Sequence, residues 1–493
     1  MKRVLLSAVL CSLLGCGVLP GPERNSPSKL YDLVIIDGRV MDPESGLDAV
    51  RNVGVIGGTI TAITSRPLSG RKIINARGLV VAPGFIDLHQ HDLSPEVQRL
   101  KVADGVTSAF EMELGVTNID EWYATIEGKS AINFGAAIGH PTVRTKVLTG
   151  SAPLHDTPLG ESTTRAATPE QLKQIGEALR RGLEQGALGV GVAIEYTPGA
   201  RPLEILEVFR AAAAFQGAPV HVHVRNTEPP YHWMETAELI LGVVTTGAPL
   251  HIVHSNSSFG GDAPMLFEMI QAARSRGLDI TTETYPYIAA ATEIRSSGFD
   301  DWQTWPAERF NRFVWPATGE RLTRASFEKH RPKGGLVIIE GMTEAKLRPT
   351  LVSPLTMIVS DGGTGENNSA HPRIAGTYAR VLGKYVREEK VLTLMEALRK
   401  MTLMPAQRLE ARATVMRNKG RIRVGADADI TVFDPTTVID RSTFQHPLQP
   451  SMGIPYVIVN GISVVNAGVV DTTAVPGRGI RARSVHRSSQ HQP

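Results

Sequence analysis

Between residues 85 and 361 the chain repeats one pattern eight times: a short apolar run bounded by turn residues, then a stretch long enough for a helix. The runs are 85–91, 106–113, 131–138, 188–194, 219–224, 250–254, 280–284 and 357–361. The intervening segments carry helix signals, as at 169–185, where Thr168 is placed to cap and Pro169 to open the first turn, and at 202–215. Eight strand-plus-helix units in series predict an α/β fold, a TIM-type (β/α)8 barrel. Such a barrel gathers its chemistry at the C-terminal ends of the strands.

With 493 residues, 42% of them hydrophobic, the chain exceeds what one barrel needs. Short β-type runs punctuated by glycine precede the repeats (33–36, 53–56, 59–63) and follow them (430–433, 456–459, 462–465). Asp37-Gly38, Gly57-Gly58 and Asn460-Gly461 supply turn pairs. Segments 31–82 and 416–481 are therefore expected to form one discontinuous small β-sandwich domain around a barrel at 83–415. One long interruption, 288–355, follows the seventh strand and contains Trp302, Trp305, Phe310, Phe313 and Trp315. An insertion there lies on the active-site face as a lid, and its aromatics can also form a core of their own.

The N-terminus carries Lys2 and Arg3, then an apolar run, 4–14, too short to span a bilayer, ending Leu13-Leu14-Gly15-Cys16. This resembles a bacterial lipobox, which makes Cys16 the expected lipidation site and 1–16 a lipoprotein signal. The linker 17–30 becomes a tether and 482–493 a flexible tail. The expected location is the lipid-anchored periplasmic face of the bacterial cell envelope, at the outer membrane because Gly17 replaces the aspartate of inner-membrane retention. The chain has two cysteines, Cys11 and Cys16, so none is left for catalysis. The 52 basic and 49 acidic residues give a net charge of +3 and no nucleic-acid footprint.

Imidazoles and carboxylates recur where strands end. The first strand closes with His89-Gln90-His91, whose spacing sends both rings to one face. The second carries Glu111 and Glu113, the fifth His221 and His223, the sixth His251 and His254, and the eighth Asp361. His89, His91, Glu113, His223, His254 and Asp361 would hold two divalent ions of the zinc type, bridged by a carboxylate. His221 lies deeper and is expected in the barrel interior; His251 is out of phase with His254 and is expected to pack elsewhere. Glu111 and Glu113 share a face, and Glu113 is nearer the strand end. Asp361 beside a metal-activated water could take a proton and deliver it to a leaving amine. That machinery hydrolyses amides and esters, and the absence of a Gly-x-x-x-x-Gly-Lys-Ser/Thr sequence argues against phosphoryl transfer.

These residues resemble the amidohydrolase superfamily, and within it the N-acyl-D-amino-acid deacylases, or D-aminoacylases. The likeness runs through 33–42, 83–92, 105–115, Gly139-His140 with Arg144, 223–228, Tyr285-Pro286-Tyr287, Ser360-Asp361-Gly362 and 420–435. Residues 83–91 and Gly425-Ala426-Asp427-Ala428-Asp429 point to the superfamily; His371-Pro372-Arg373 with Gly376 and Arg380 narrows it to the deacylases. The resemblance implies a barrel with a flanking β domain and a lid, and zinc-dependent release of a D-amino acid from its N-acyl form. It implies His89, His91, His223 and His254 as metal ligands and Asp361 as the general acid/base. Arg373 and Tyr285 are implied as groups that hold the substrate's carboxylate or reacting carbonyl, with Arg225 as a further candidate.

Two departures stand out. The deacylases' bridging cysteine, in Asn-Cys-Gly, is matched by Glu113-Leu114-Gly115, so a more evenly occupied pair of metals is expected, with Mn2+ or Co2+ also accepted. Lys146 offers the alternative of a carboxylated lysine bridge. The family's His-x-Lys after the sixth strand reads His254-Ser255-Asn256. The expected substrate is a small N-acyl amino acid; the alternatives are a cyclic amide of the hydantoinase or dihydroorotase kind, a dipeptide, or binding without catalysis.

Overall fold

A computed structural model describes residues 30–227, 231–365 and 369–483 of the protein. Cys16, the leader and tether up to residue 29, Glu228 and the tail from 484 lie outside the described residues. No helix among the described residues is long and apolar enough to cross a membrane.

Eight strands form one parallel sheet in sequential order: Phe85–Asp87, Val106–Val116, Asn133–Gly139, Val190–Ala193, Val220–His223, Leu250–Ile252, Ile280–Thr284 and Thr356–Ile358. The sheet closes just beyond the strand ends, where the Asp361 N–H donates to the His89 carbonyl (2.9 Å) and the His91 N–H to the Gly362 carbonyl (2.8 Å). The fold is therefore a TIM-type barrel with its seam at the top. Period-2 alternation is clean along the fifth to seventh strands: Val220, Val222, Leu250, Ile252 and Ile280 pack outward among the helices. Their neighbours, His221, His223, His251 and Glu283, turn inward. Helix Pro169–Glu184 begins with a complete capping box between Thr168 and Gln171.

Both ends of the chain build a nine-stranded sheet, joined where Ile430–Phe433 pairs antiparallel with Val80–Pro83. Ile60 and Ile458, far apart along that sheet, share one buried core, so the sheet folds over on itself. Gly57-Gly58 and Asn460-Gly461 form two-residue hairpin turns with positive φ at all four positions. Asp37-Gly38, expected as a third, lies inside the continuous strand Leu30–Asp42. There Asp37 (φ 58°) makes a bulge, which lets the strand change partner from Ser69–Asn75 to Val80–Pro83. The Gly425–Asp429 motif is explained by docking. Asp429 accepts hydrogen bonds from Lys419 Nζ (2.6 Å), from the Asn460 N–H (2.7 Å) and from Asn133 Nδ2 on the third barrel strand (3.0 Å), tying sheet to barrel.

After the seventh strand, an antiparallel sheet of Ala289–Glu293, Leu336–Glu340, Phe313–Trp315 and Glu320–Arg321 stands over the strand ends. Trp305, Phe310, Phe313 and Phe327 are buried against one another, a core that belongs to the insertion itself. The helix Glu344–Val352, inside the 288–355 interval, packs on the barrel instead, with Leu347 and Leu351 buried beside Ile358.

Candidate metal centre

His89 and His91 follow directly on the first barrel strand. Their Nε2 atoms are 3.1 Å apart; Glu113 Oε2 lies 3.1 and 3.2 Å from them, and Asp361 Oδ1 3.4 and 3.3 Å. Ligands at zinc bonding distance and tetrahedral angles stand roughly 3.3–3.5 Å apart, so these four donors fit one small divalent cation. A second group shares the same carboxylate: Glu113 Oε1 is 2.8 Å from His223 Nδ1 and 3.0 Å from His254 Nε2, which are 3.1 Å from each other. Three protein donors leave a position for water or substrate. Glu113 thus gives one oxygen to each group.

Every imidazole has its other nitrogen against an oxygen, which fixes the ring and leaves a lone pair for a metal. His89 Nδ1 meets Glu283 Oε1 (2.6 Å), His91 Nδ1 meets Glu111 Oε2 (2.7 Å), His223 Nε2 meets Glu195 Oε2 (2.6 Å) and His254 Nδ1 meets Ser258 Oγ (2.9 Å). Beneath them, buried Asp87 is paired with Lys101 (3.0 Å) and accepts from the backbone N–H of Ser360 (3.0 Å), which sets the residue before Asp361. His254 (φ 28°) and Asp361 (φ 52°) occupy the left-handed region, an uncommon backbone state for side-chain-bearing residues. The seam hydrogen bond of Asp361 and contact of the His254 N–H with Glu283 (3.4 Å) hold them there.

The electrostatics favour a cation. Burial works against a charged His223, yet Glu113 and Glu195 outweigh it and lift its pKa to about 10. Burial also opposes charge on Glu113, and the surrounding imidazoles still hold its carboxyl well below the usual range. Burial likewise pushes the Asp361 carboxyl up, but Arg373, at 2.8 Å, and His89 bring it down on balance. Carboxylates held ionised beside imidazoles that gain from positive charge form an environment suited to a divalent metal.

The two groups open into a cavity of about 1040 Å³ beneath the insertion. Tyr285 and Arg373 line it, with the guanidinium 4.6 Å from the tyrosine ring centre and the buried Tyr285 hydroxyl lacking a well-formed hydrogen bond. Of the insertion's aromatic core, Phe299 reaches the cavity wall. Arg225 is corrected: it does not line the cavity, and its guanidinium is taken up by Glu235 (3.1 Å), Glu238 (3.1 Å) and the Ala200 carbonyl (2.6 Å). The fifth strand ends at His223, so alternation no longer governs where residue 225 points. Lys146 is exposed on the helix His140–Thr149 and belongs to no donor group. His251, expected to pack away from the ligand set, belongs to neither donor group and lies in the barrel interior, stacked on His221 (4.4 Å) and bound to Glu283 (2.9 Å). Glu111 lies between His91 and His155, each 2.7 Å away. His155, Glu195 and Glu283 went unseen in the sequence; Glu283 alone had a signal, an inward phase on its strand.

Residues 353–465 match the Amidohydrolase family. An N-acyl-D-glutamate deacylase from Alcaligenes xylosoxydans xylosoxydans is 31% identical over 88% of this chain and 93% of its own length. The chain belongs to this deacylase family of amidohydrolases. A D-aminoacylase from the same organism is 29% identical over 89% of this chain and 95% of its length. The family's fold is matched as well: a crystal structure of N-acyl-D-glutamate deacylase from Bordetella bronchiseptica superposes with a TM-score of 0.78. It is 25% identical, over 92% of this chain and 100% of that one. That relative was crystallised with zinc and a phosphonate mimic of the tetrahedral intermediate. Family membership makes this protein a metal-dependent hydrolase of C–N bonds, and its donor groups fit zinc.

Proposed function

We propose that the protein hydrolyses the amide bond of N-acyl-D-amino acids, releasing a free D-amino acid and a carboxylic acid. The observation that carries this is Glu113, which offers one oxygen to each donor group, with Asp361 at the edge of the first and ion-paired to Arg373. The relatives' names, N-acyl-D-glutamate deacylase and D-aminoacylase, support the D series. Zinc bound by His89, His91, Glu113, His223, His254 and Asp361 would polarise the amide carbonyl and activate a water near neutral pH; Mn2+ or Co2+ suits the same donors. Asp361 takes the proton from the attacking water and passes it to the amide nitrogen as the C–N bond breaks. Arg373 fixes the Asp361 carboxylate by its ion pair. Arg373 and Tyr285 line the cavity, where the guanidinium and the Tyr285 hydroxyl are placed to donate hydrogen bonds to the substrate's carboxylate or to the carbonyl oxygen as it gains charge.

The lipobox-like Leu13-Leu14-Gly15-Cys16 supports lipidation at Cys16 and action at the cell envelope, on the outer membrane given Gly17. Incorporation of labelled palmitate, abolished by Cys16→Ala, checks that part. For the reaction, amino-acid release is measured across paired N-acyl-D and N-acyl-L amino acids, with a hydantoin and dihydroorotate alongside. D-selective release that falls by about a thousandfold or more in Asp361→Asn is expected. Release from the L series alone, or turnover of the cyclic amides alone, overturns the proposal.

A further inference from the structure

The cavity is larger than an N-acetyl amino acid requires. Its volume of about 1040 Å³ stands at the top of the ~300–1,000 Å³ typical of pockets that enclose whole small ligands. The insertion keeps it open by using small residues on its nearest strand. Ala290 and Ala291 line the space, and Arg373 reaches the Ala291 carbonyl (3.4 Å). Across the ladder from Ala290 stands Ile339, also in the wall. Met342 comes within 3.9 Å of Asn256, two residues beyond His254, and Phe259 and Phe299 add aromatic surface.

Positive charge is scarce in the same space. Arg373 is ion-paired with Asp361 and, in the deacylase reading, also meets the amino-acid carboxylate, so its charge is not left for the acyl group. Asn256 spends its amide on the backbone of Tyr285 (3.2 and 3.4 Å) and brings no charge. The other cations in the wall, Arg312 and Lys346, are exposed residues at the outer rim. Carboxylates such as Glu195 and Glu293 also line the cavity, so the carbon surface is the part of the wall made by Ala290, Ile339, Met342 and the two phenylalanines, and no buried cation there is left to pair with an anionic group.

We infer that this space is an acyl-chain subsite, and that the substrate carries an aliphatic acyl group of about six to twelve carbons rather than an acetyl group. The inference rests on the deacylase reading. With the amino-acid carboxylate at Arg373 and Tyr285 and the scissile carbonyl at the metal groups, the acyl chain is the part left to run under the insertion. Ala290, Ile339 and Met342 then determine chain length.

The test compares N-acetyl-, N-hexanoyl-, N-octanoyl- and N-lauroyl-D-leucine on the zinc-loaded full chain. Affinities of the acetyl and octanoyl compounds are measured by calorimetry in Asp361→Asn. kcat/KM should rise by about tenfold or more from acetyl to octanoyl, and the octanoyl compound should bind the variant at least about tenfold tighter. Ala290→Trp should lower the octanoyl-to-acetyl ratio of kcat/KM by a similar factor. Cleavage of acetyl substrate as fast as octanoyl overturns the subsite and leaves the deacylase reading standing. No cleavage of either, with the octanoyl preference still present in binding, overturns the deacylase reading and supports the subsite. No preference in rate or binding removes the subsite.

Discussion

Glu113 carries more of the centre than any other single side chain. Replacing it with Gln keeps the shape but removes the negative charge, and an amide offers one oxygen where the carboxylate offers two. The zinc-reconstituted Glu113→Gln protein should hold about one metal per chain where the wild type holds about two, as elemental analysis would show. His89 and His91 were legible because a two-residue spacing at a strand end fixes their common direction. The recurrence of His and carboxylate at later strand ends was legible for the same reason. Glu195 and His155 were not, because both lie on loops and are recruited by proximity across the barrel mouth, which no local pattern encodes. Arg225 misled for the complementary reason: its sequence neighbour His223 turns inward, while two acidic residues of the following helix claim the arginine.

At the scale of elements, the eight barrel strands and the sheet made by both chain ends follow from periodicity and turn pairs, and the structure departs mainly at boundaries. The Asp37-Gly38 pair shows the limit: the same dipeptide closes a hairpin or bulges a strand, and the choice lies with the strands alongside. The insertion has its own aromatic core, and Phe327 is fully buried at its centre. Phe327→Ala should cost about 3–5 kcal/mol locally. Limited proteolysis should then cut between residues 289 and 340 before the barrel is attacked, and KM should rise more than kcat falls, because the insertion roofs the cavity without supplying metal ligands.

At the scale of the molecule, barrel and flanking sheet meet at Asp429, which is paired with Lys419, both almost entirely removed from solvent, and accepts a hydrogen bond from Asn133 of the third barrel strand. Asp429→Ala strands the ammonium near Asp427 alone and frees the Asn133 and Asn460 amides of their shared acceptor. Chemical denaturation should show a loss of about 3–5 kcal/mol. The double variant Lys419→Met, Asp429→Leu should recover part of it, since the cost lies mostly in the uncompensated charge. The link that reaches across the sequence is the hydrogen bond from Asn133 to Asp429; the Gly425–Asp429 motif advertises it without revealing what it holds.

The seam of the barrel has one further consequence. The parallel ladder between the first and last strands is made by the backbone of His89, His91, Asp361 and Gly362, three of which also present donor atoms to the first metal group. Loading that group therefore cinches the cylinder shut like a clasp on a hoop, and folding and metal uptake draw on one free energy. Stripping the metal with a chelator should lower the melting temperature by several degrees or more, and back-titration with zinc should restore it along a saturating, concentration-dependent curve. A melting temperature indifferent to zinc would mean that the hoop holds without its clasp.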